Sequence, residues 1–511
     1  MIIDGRRWPG RRLQTGICIV GSGMGGASAA KKLIEAGLDV LFIEAGGDRP
    51  SSGEALIQHQ TVGQSFGVPF TRALELGGST NLWHGICSPF DPIDFESRDW
   101  IAESGWPISY RDLVPHYAQA LDWLGLAGVS LEEMTAVAPG EEILATKAFW
   151  SLRTPARMKD MVRDWTRTGR ARCLTHAVAL QLQADAHGAV RSLLVGCGDR
   201  TVEVRADAFI IAAGALETPR LLLNSGRGSG HGFGAGAAQV GRYLMDHPVG
   251  YFSQVVFHKQ QSAPFGPPVT DIRAHFGFAL RPELQQRFRL PNHYVFIRPG
   301  TGSAKAPNAL LRSFLGVRKL TDLSLRQLMP LVTSPYILQR VARERLGIGT
   351  ATRFGDIYVM AEQAPNPFSR VMLSDKLRDR FGYPIAQVDW RIPQNEWDHF
   401  DEYFGLVAEG LRADERVASL RLDRAEEWPQ VLSSAAHHLG TARMAATPRR
   451  GVVDADLRVF GCNNLYVCDG SVFPTAGGTN PSLTISALAL RLGDHLAKRL
   501  STPVMVQAAA S

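Results

Sequence analysis

Residues 16–44 read GICIVGSGMGGASAAKKLIEAGLDVLFIE. The apolar runs at 16–20 and 39–43 predict two buried parallel strands, because strands covered on both faces are apolar throughout. The stretch between them predicts a helix that Gly37 closes. A strand, a glycine-rich turn, a helix and a second strand in this order form the βαβ unit of a dinucleotide-binding domain.

Four residues of this unit are candidate cofactor ligands, because the turn has the pattern G-x-G-x-x-G. Gly21 allows the tight bend, Gly23 lets a pyrophosphate approach the backbone, and Gly26 lets the helix pack on the strand. Glu44 ends the second strand, where an acid accepts hydrogen bonds from a ribose. The pattern alone does not separate FAD from NAD.

Composition indicates a globular protein of two or three domains, with 511 residues, 45% of them hydrophobic and 20% charged. The 55 Lys and Arg residues barely exceed the 49 Asp and Glu residues, so we expect no nucleic-acid partner. We also expect no membrane span and no targeting peptide. Six cysteines without a CxxC pair indicate reduced thiols and a cytoplasmic protein, and the sequence predicts no metal site.

The C-terminal part carries the candidate reaction chemistry. Residues 437–444 read HHLGTARM, and residues 465–490 read LYVCDGSVFPTAGGTNPSLTISALAL. The second stretch predicts a short buried strand, a turn at Asp469-Gly470, a loop and a helix that begins after Pro481. The loop glycines and the positive end of the helix dipole suit an electron-rich ring that gains negative charge.

The chain resembles the glucose–methanol–choline (GMC) family of FAD-dependent alcohol oxidoreductases over nearly its whole length. The resemblance rests on the glycine fingerprint and on several further motifs. One motif departs from the family signature at Arg227, which replaces an aliphatic residue. These motifs are GGSTN at 77–81, GALETPRLLLNSGRG at 214–228, GRYLMDHP at 241–248 and the two C-terminal stretches. Asn480-Pro481 stands in place of a second histidine, which is similar to the pyranose-oxidase and choline-oxidase branches. The residues around it resemble sugar-oxidising members of the family.

The resemblance implies an α/β fold in which a Rossmann-type FAD-binding domain is interwoven with a substrate domain on a mostly antiparallel sheet. It implies an FAD-binding domain at 1–248 and 431–511 and a substrate domain at 249–430. Some members attach FAD to a histidine four positions after the Gly-Gly pair, but Leu82 stands there, so we expect non-covalent FAD. The implied cofactor contacts are Gly21, Gly23, Met24, Gly26, Glu44, Gly78, Ser79, Asn81, Ala177, Ala213, Asp469, Gly470, Asn480 and Pro481.

The middle of the chain predicts the substrate domain. A helix is expected at 395–413, where apolar residues recur every three to four positions. Gln363 lies in a loop from which it could reach a hydroxylated substrate. Residues 300–349 could form a lid, an insertion or an oligomer contact. The expected strands are 171–181, 252–257, 293–297, 370–375 and 385–390.

Oxidation of an alcohol by a flavin requires hydride transfer to N5 of the flavin and removal of the hydroxyl proton. A neutral imidazole suits the proton step near neutral pH, and an amide can position the same oxygen. His437 and Asn480 are the candidates for these two roles. His438 is adjacent to His437, and the family spacing H-x-x-G-T selects His437 as the base.

The sequence therefore predicts FAD-dependent oxidation of a small-molecule alcohol, a secondary hydroxyl of a sugar or glycoside, to a ketone. One alternative keeps the reaction with a non-sugar alcohol or aminoalcohol as the substrate. Two others are a lyase that uses the histidine without flavin redox chemistry and a flavin-binding protein without activity. Either oxygen or a quinone-like compound could be the electron acceptor.

Overall fold

The computed structural model describes residues 1–49, 59–64, 71–131, 142–152, 154–227, 232–261, 272–299, 352–422, 428 and 432–501. The strands are β1 (Ile2–Asp4), β2 (Arg12–Val20), β3 (Val40–Ile43), β4 (His59–Thr61), β5 (Leu144–Leu152), β6 (Arg172–Thr175), β7 (Ala177–Ala184), β8 (Val190–Cys197), β9 (Arg200–Ile211), β10 (Pro248–Gln261), β11 (Ile272–Leu280), β12 (Tyr294–Pro299), β13 (Thr352–Met360), β14 (Arg370–Arg378), β15 (Pro384–Asp389), β16 (Val417–Leu422), β17 (Ser433–Ser434) and β18 (Leu465–Val467). The helices are α1 (Met24–Glu35), α2 (Pro92–Phe95), α3 (Tyr110–Trp123), α4 (Met158–Arg167), α5 (Gly214–Ser225), α6 (Pro282–Phe288), α7 (Gln394–Arg412) and α8 (Ser482–Ser501).

The first sheet has eight strands in the order β1-β6-β3-β2-β9-β8-β7, and β18 pairs with β9. The strands from β1 to β9 along this order, together with β18, are mutually parallel, whereas β8 and β7 are antiparallel to their neighbours. All four residues of β3 are buried, as expected for a strand covered on both faces. The predicted βαβ unit and the Rossmann-type fold are confirmed.

Helix α1 packs on β2 and β3 of this sheet, and α8 packs against α1. A hydrogen bond of 3.0 Å joins the hydroxyls of Ser28 and Ser486 across the two helices. Gly25 in α1 permits a very close approach, because a Cβ there would lie 1.8 Å from the carbonyl oxygen of Cys468. The N-terminal and C-terminal parts of the chain therefore pack in a single layer.

The second sheet has seven strands in the order β16-β10-β13-β12-β11-β5, and β17 pairs with β10. Every pairing in it is antiparallel, which confirms the predicted sheet of the substrate domain. Helix α7 buries Phe404 against Phe252 of β10, with ring centroids 3.9 Å apart. The predicted boundaries at residues 248 and 430 stay a prediction; β5 joins this sheet although it precedes residue 249.

A small third sheet contains β14, β15 and β4, in that order. The strand β4 comes from the N-terminal part of the chain and pairs in parallel with β15. Together with the pairing of β18 with β9, this shows that distant segments of the chain alternate within the fold. This agrees with the interwoven arrangement that the resemblance implies.

The strand predicted at 171–181 is wrong in one respect, because two strands replace it. His176 has the left-handed backbone angle φ of 52° and separates β6 from β7. The strand β6 pairs with β1 and β3, whereas β7 pairs with β8. A single non-glycine residue with positive φ is not visible in an apolar pattern. The segment 300–349, interpreted as a lid, an insertion or an oligomer contact, lies outside the described residues.

Two further observations concern the predicted surroundings of the protein. All six cysteines are buried and free of disulfides, and burial raises the pKa of the Cys87 thiol to about 12. The thiols are therefore unreactive structural side chains. Among the helices in the described part of the chain, none combines the length and apolar character that a bilayer span requires.

Candidate active site

A cavity of about 480 Å³ lies at the carboxyl ends of four parallel strands. The lining residues stand at or just after the ends of these strands: Val20 and Gly21 at β2, Ile43 and Glu44 at β3, Ala212 and Ala213 after β9, and Asp469 and Gly470 after β18. Parallel strands bring their carboxyl ends to one edge of a sheet, which is where ligands bind in such folds.

The structure brings most of the predicted cofactor residues to this cavity. The lining includes Gly21, Gly23, Met24, Glu44, Gly78, Ser79, Ala177, Ala213, Asp469, Gly470, Asn480 and Pro481. Gly26 does not line the cavity: a Cβ there would lie 2.1 Å from the carbonyl oxygen of Gly21, so this glycine serves helix packing. Asn81 is buried, and its side-chain amide donates to the carbonyl oxygen of Leu76 at 2.8 Å. The roles of these residues in cofactor binding stay predictions.

The glycine-rich turn fits the pyrophosphate of a dinucleotide. Gly21 has φ of 97°, and a Cβ there would lie 2.3 Å from the carbonyl oxygen of Ala212. At Gly23 a Cβ would meet one atom within 4 Å, the carbonyl oxygen of Gly77 at 3.9 Å, so it would project into the cavity instead of the protein. The 12-residue helix α1 starts at the next residue, with free N–H groups and the positive end of its dipole at the turn.

Glu44 is buried at the cavity wall and holds the glycine-rich turn in place. Its carboxylate accepts hydrogen bonds from the backbone N–H and the hydroxyl of Ser22 and from the N–H of Gly46. Ser22 in turn accepts from the N–H of Gly77 at 2.8 Å. Burial raises the pKa of Glu44, while the three donors act in the opposite direction. Glu44 thus connects the first glycine turn to the GGSTN segment.

Ala177 lies beside Glu44. Its backbone N–H donates to the carbonyl oxygen of Glu44 at 3.0 Å, so that donor is already used within the protein. The predicted cofactor contact at Ala177 would therefore use another group of this residue.

Asp469 fixes the opposite side of the cavity. One carboxylate oxygen accepts from the N–H of Gly214 at 2.8 Å and from the hydroxyl of Thr218 at 2.7 Å. The other oxygen accepts from the N–H of Ser471 at 2.8 Å. Burial raises the pKa of Asp469. This carboxylate thereby ties the start of α5 to the turn that follows β18.

His437 and Asn480 meet at one end of the cavity. The distance from His437 Nε2 to Asn480 Nδ2 is 3.4 Å, and both residues line the cavity. The backbone N–H of His437 donates to Asp246 Oδ1 at 2.9 Å. Ala436, immediately before it, has φ of 67°, a strained value for a residue with a Cβ. Strained backbone of this kind clusters at functional sites.

His247 and Asp246 also contact His437, and the sequence analysis assigned no role to either residue. His247 Nδ1 lies 2.9 Å from His437 Nδ1, and both His247 and Asp246 are fully buried. Burial lowers the pKa of His247 and raises that of Asp246 to about 6. The signal was present in the motif GRYLMDHP, where an acid and a histidine are adjacent within an apolar stretch.

His438 differs from its neighbour in its titration. It is half-buried, and desolvation together with the positive charge of Arg72 lowers the pKa of His438 to about 3. It lines the cavity wall, as His437 does, and the 3.4 Å contact with Asn480 Nδ2 is made by His437 Nε2. The choice of His437 over His438 as the base stays a prediction.

The prediction that Gln363 faces a substrate is wrong. Gln363 is completely buried. Its amide oxygen accepts from Trp390 Nε1 at 2.8 Å and from the N–H of Asp246 at 3.1 Å, and its amide nitrogen donates to the carbonyl oxygen of Arg391 at 2.9 Å. A glutamine in a loop gave no indication of these partners, which are distant in the sequence.

Comparison with known proteins gives consistent results. Residues 158–249 and 365–489 match the N-terminal and C-terminal domains of GMC oxidoreductases. The 2-methyl-1,2-propanediol dehydrogenase of Mycolicibacterium austroafricanum is 24% identical over 96% of this chain and 96% of its own. The paromamine 6'-oxidase of Streptomyces fradiae is 27% identical over 93% of this chain and 90% of its own. The crystal structure of pyridoxine 4-oxidase from Mesorbium loti superposes with a TM-score of 0.59, 19% identity and coverage of 94% and 99%, and shares the fold.

Proposed function

The chain belongs to the GMC oxidoreductase family, whose members are FAD-binding alcohol oxidases and dehydrogenases, and on this basis we propose that it oxidises a secondary hydroxyl of a sugar or glycoside to a ketone. One observation carries the proposal: His437 Nε2 and Asn480 Nδ2 lie 3.4 Å apart at one end of the dinucleotide-shaped cavity. A base and an amide donor at this distance can both reach one hydroxyl oxygen.

The residues of this chain would act on the hydroxyl group of the substrate. Bound FAD supplies the acceptor for the hydride that leaves the carbinol carbon. His437 Nε2 takes the hydroxyl proton, and Asn480 donates a hydrogen bond to the same oxygen and fixes its position. The segments that carry His437 and Asn480 both belong to the C-terminal part of the chain. Asp246 and His247, immediately before β10, hold His437.

We propose that FAD is bound without a covalent bond. The glycine turn, the start of α1 and the carboxylate of Glu44 fit its dinucleotide part, and Leu82, which lines the cavity, offers no nucleophile for attachment. Acid precipitation should release yellow FAD into the supernatant. Flavin that remains with the pellet after washing would contradict the proposal.

Two substrate classes are distinguishable by experiment. A relative named for paromamine favours a sugar-type alcohol, and a relative named for 2-methyl-1,2-propanediol favours a non-sugar alcohol as the second candidate. Sugars, glycosides and aliphatic diols should be mixed with the oxidised protein without oxygen, and bleaching of the flavin absorbance followed. Faster bleaching by diols than by any sugar or glycoside would overturn the proposed substrate class.

The same screen addresses the remaining alternatives. Product formation without bleaching would support the lyase that uses the histidine alone, and neither product nor bleaching would support a silent flavin-binding protein. Reoxidation of the bleached protein with air, and separately with a quinone dye, identifies the acceptor class. The cytoplasmic location and the domain boundaries stay predictions.

A further inference from the structure

The ring of His247 makes three short polar contacts. Its Nε2 lies 2.8 Å from the carbonyl oxygen of Gly477 and 3.1 Å from that of Ala476. Carbonyl oxygens only accept hydrogen bonds, so Nε2 of His247 carries a proton. The ring is fully buried, and burial lowers its pKa, which favours the neutral form. A neutral imidazole with its proton on Nε2 presents a lone pair at Nδ1.

This lone pair faces the neighbouring histidine. His247 Nδ1 and His437 Nδ1 are 2.9 Å apart, a hydrogen-bond distance that requires one proton between them. Since His247 contributes the lone pair, His437 contributes the Nδ1–H. A neutral His437 with its proton on Nδ1 has a bare Nε2, and this is the atom that lies beside the amide of Asn480 in the cavity.

We propose that His247 is a positioning residue that selects the tautomer of His437 and so directs the basic Nε2 towards the substrate hydroxyl. The inference deepens the proposed function, since it rests on His437 as the base. The carboxylate of Asp246 supports the arrangement from the backbone: it accepts the N–H groups of His247 at 2.7 Å and His437 at 2.9 Å. The negative charge of Glu362 acts against burial and raises the pKa of His247.

This assignment determines which nitrogens of His247 and His437 carry protons before and after the reaction. His437 can take a proton at Nε2 without disturbing the Nδ1–H···Nδ1 bond, because that bond uses the other nitrogen. The resulting imidazolium keeps both donors directed at defined acceptors, His247 on one side and the substrate oxygen on the other. In the opposite tautomer, two lone pairs would face each other at 2.9 Å and the nitrogen at the cavity would be unable to accept a proton.

A matched pair of variants separates tautomer selection from loop support. The amide of asparagine reaches the position of Nδ1, so His247→Asn keeps an acceptor for His437. The amide of glutamine reaches the position of Nε2, so His247→Gln keeps the hydrogen bonds to the carbonyl oxygens of residues 476 and 477 instead. His247→Leu removes both sets of bonds.

Anaerobic flavin reduction by the fastest alcohol of the screen is the first readout. We expect the rate to fall by about 10- to 10³-fold in His247→Gln and His247→Leu, by analogy with the loss seen when a catalytic histidine is held in the wrong tautomer. His247→Asn should be faster than His247→Gln. The reverse order would show that His247 merely supports the loop and would overturn the inference.

Coupling to His437 provides the control. In a His437→Ala background, His247→Asn and His247→Gln should reduce the flavin at equal rates, because the group on which they act is gone. A difference between them as large as in the parent protein would show that His247 acts elsewhere, and would also overturn the inference.

A spectroscopic readout decides the tautomer without any substrate. Protein labelled with ¹³C,¹⁵N-histidine and loaded with FAD is measured by solid-state NMR, and the spectrum of His437→Ala is subtracted. At a pH where the ring is neutral, we expect Nδ1–H for His437 in the parent and a mixture of both tautomers in His247→Gln. Nε2–H in the parent would overturn the inference. Parent-like flavin reduction by His437→Ala would instead remove the proposed base, leaving the NMR result to stand by itself.

Discussion

Three residues contact His437, one at its backbone and two at its imidazole ring. Asp246 binds its backbone, His247 its Nδ1 and Asn480 faces its Nε2. The left-handed Ala436 turns the chain so that these contacts are made at once. A side chain fixed in this way can remove a proton without first reorganising, which is the main structural requirement of a general base.

Replacement of His437 by alanine should slow anaerobic flavin reduction by about 10²- to 10⁴-fold and leave FAD bound, because a positioned acid–base group contributes about this factor. Asn480→Ala should have a smaller effect, since the base remains. In the parent, reduction should slow as the pH falls and His437 becomes protonated, because an imidazolium cannot accept a proton. Stopped-flow absorbance of the flavin measures all three effects.

The adjacent histidine is the control for this experiment. His438→Ala should reduce the flavin at a rate close to that of the parent, because the contact with Asn480 is made by His437 Nε2. Loss of reduction in His438→Ala with retention in His437→Ala would show that the chosen register is displaced by one residue.

Glu44→Ala should weaken FAD binding by about 1–3 kcal/mol, because Ser22 and Gly46 lose their acceptor and the ribose of FAD would lose the acceptor predicted for it. The dissociation constant can be measured by titrating apoprotein with FAD and following quenching of flavin fluorescence. Asp39→Ala is a suitable control: it lies at the other end of β3, where its carboxylate is half-exposed and pairs with Arg172. Equal affinity in both variants would exclude Glu44 as a cofactor ligand.

At the level of secondary-structure elements, the sequence predicted best where local pattern and burial coincide. The strands β2 and β3 and the helix α8 were predicted to within a few residues, because strands buried on both faces and helices with an apolar stripe have distinct periods. The break at His176 was not predicted, because it depends on a single backbone angle.

The sequence predicted those residues of the candidate site that belong to a local motif, but not the contacts between distant residues. His437, Asn480 and Glu44 stand at the ends of recognisable elements, whereas the contact of His247 with His437 joins residues 190 positions apart. The misassignment of Gln363 has the same origin, since Trp390 and Asp246 reach it only in the folded chain. Local pattern contains no information on such pairs.

Helix α7 contains a buried carboxyl group whose protonation should affect stability. Glu396 accepts from the N–H of Ala364 in the first turn, and burial raises its pKa from 4.5 to about 8. The folded state therefore binds a proton that the unfolded state has lost at intermediate pH, so this group makes the protein less stable as the pH rises from about 4.5 to about 8.

Glu396→Gln removes this ionisation and keeps an acceptor for Ala364. We expect the loss of melting temperature between pH 6 and pH 8.5 to be smaller in Glu396→Gln than in the parent, as measured by thermal unfolding followed by circular dichroism. Glu402→Gln, on the exposed face of the same helix, should follow the parent. Parallel curves for all three proteins would mean that Glu396 does not titrate in this range.

At the scale of the whole molecule, a buried ion pair connects the segment after α2 to the end of β13. Arg98 and Glu362 form two hydrogen bonds, the longer of 2.8 Å, and their side chains are 1% and 0% exposed. Glu362 also accepts from the N–H of Asn292. The pair thus fixes the antiparallel sheet against the segment that leads from the GGSTN region.

Glu362→Gln should destabilise the protein by about 3–5 kcal/mol, because it leaves the Arg98 cation buried without its counter-charge while keeping an acceptor for Asn292. Urea unfolding with a fixed excess of FAD measures the change. Asp99→Asn, which breaks the exposed pair of Asp99 with Arg289, should change stability by less than about 1 kcal/mol. Similar losses in both variants would show that burial of the Arg98 pair is not what stabilises the junction.

The parallel pairing of β18 with β9 has a consequence for biosynthesis. The ribosome synthesises the chain from its N-terminus. The glycine turn and β9 therefore emerge long before residues 465–467, which pair with β9. Until that last strand inserts, the turn at Asp469 and the loop of Asn480 cannot close the cavity. The cavity is therefore complete only after the chain has been synthesised past Ile485, and the proposed FAD would bind at the end of synthesis or after release.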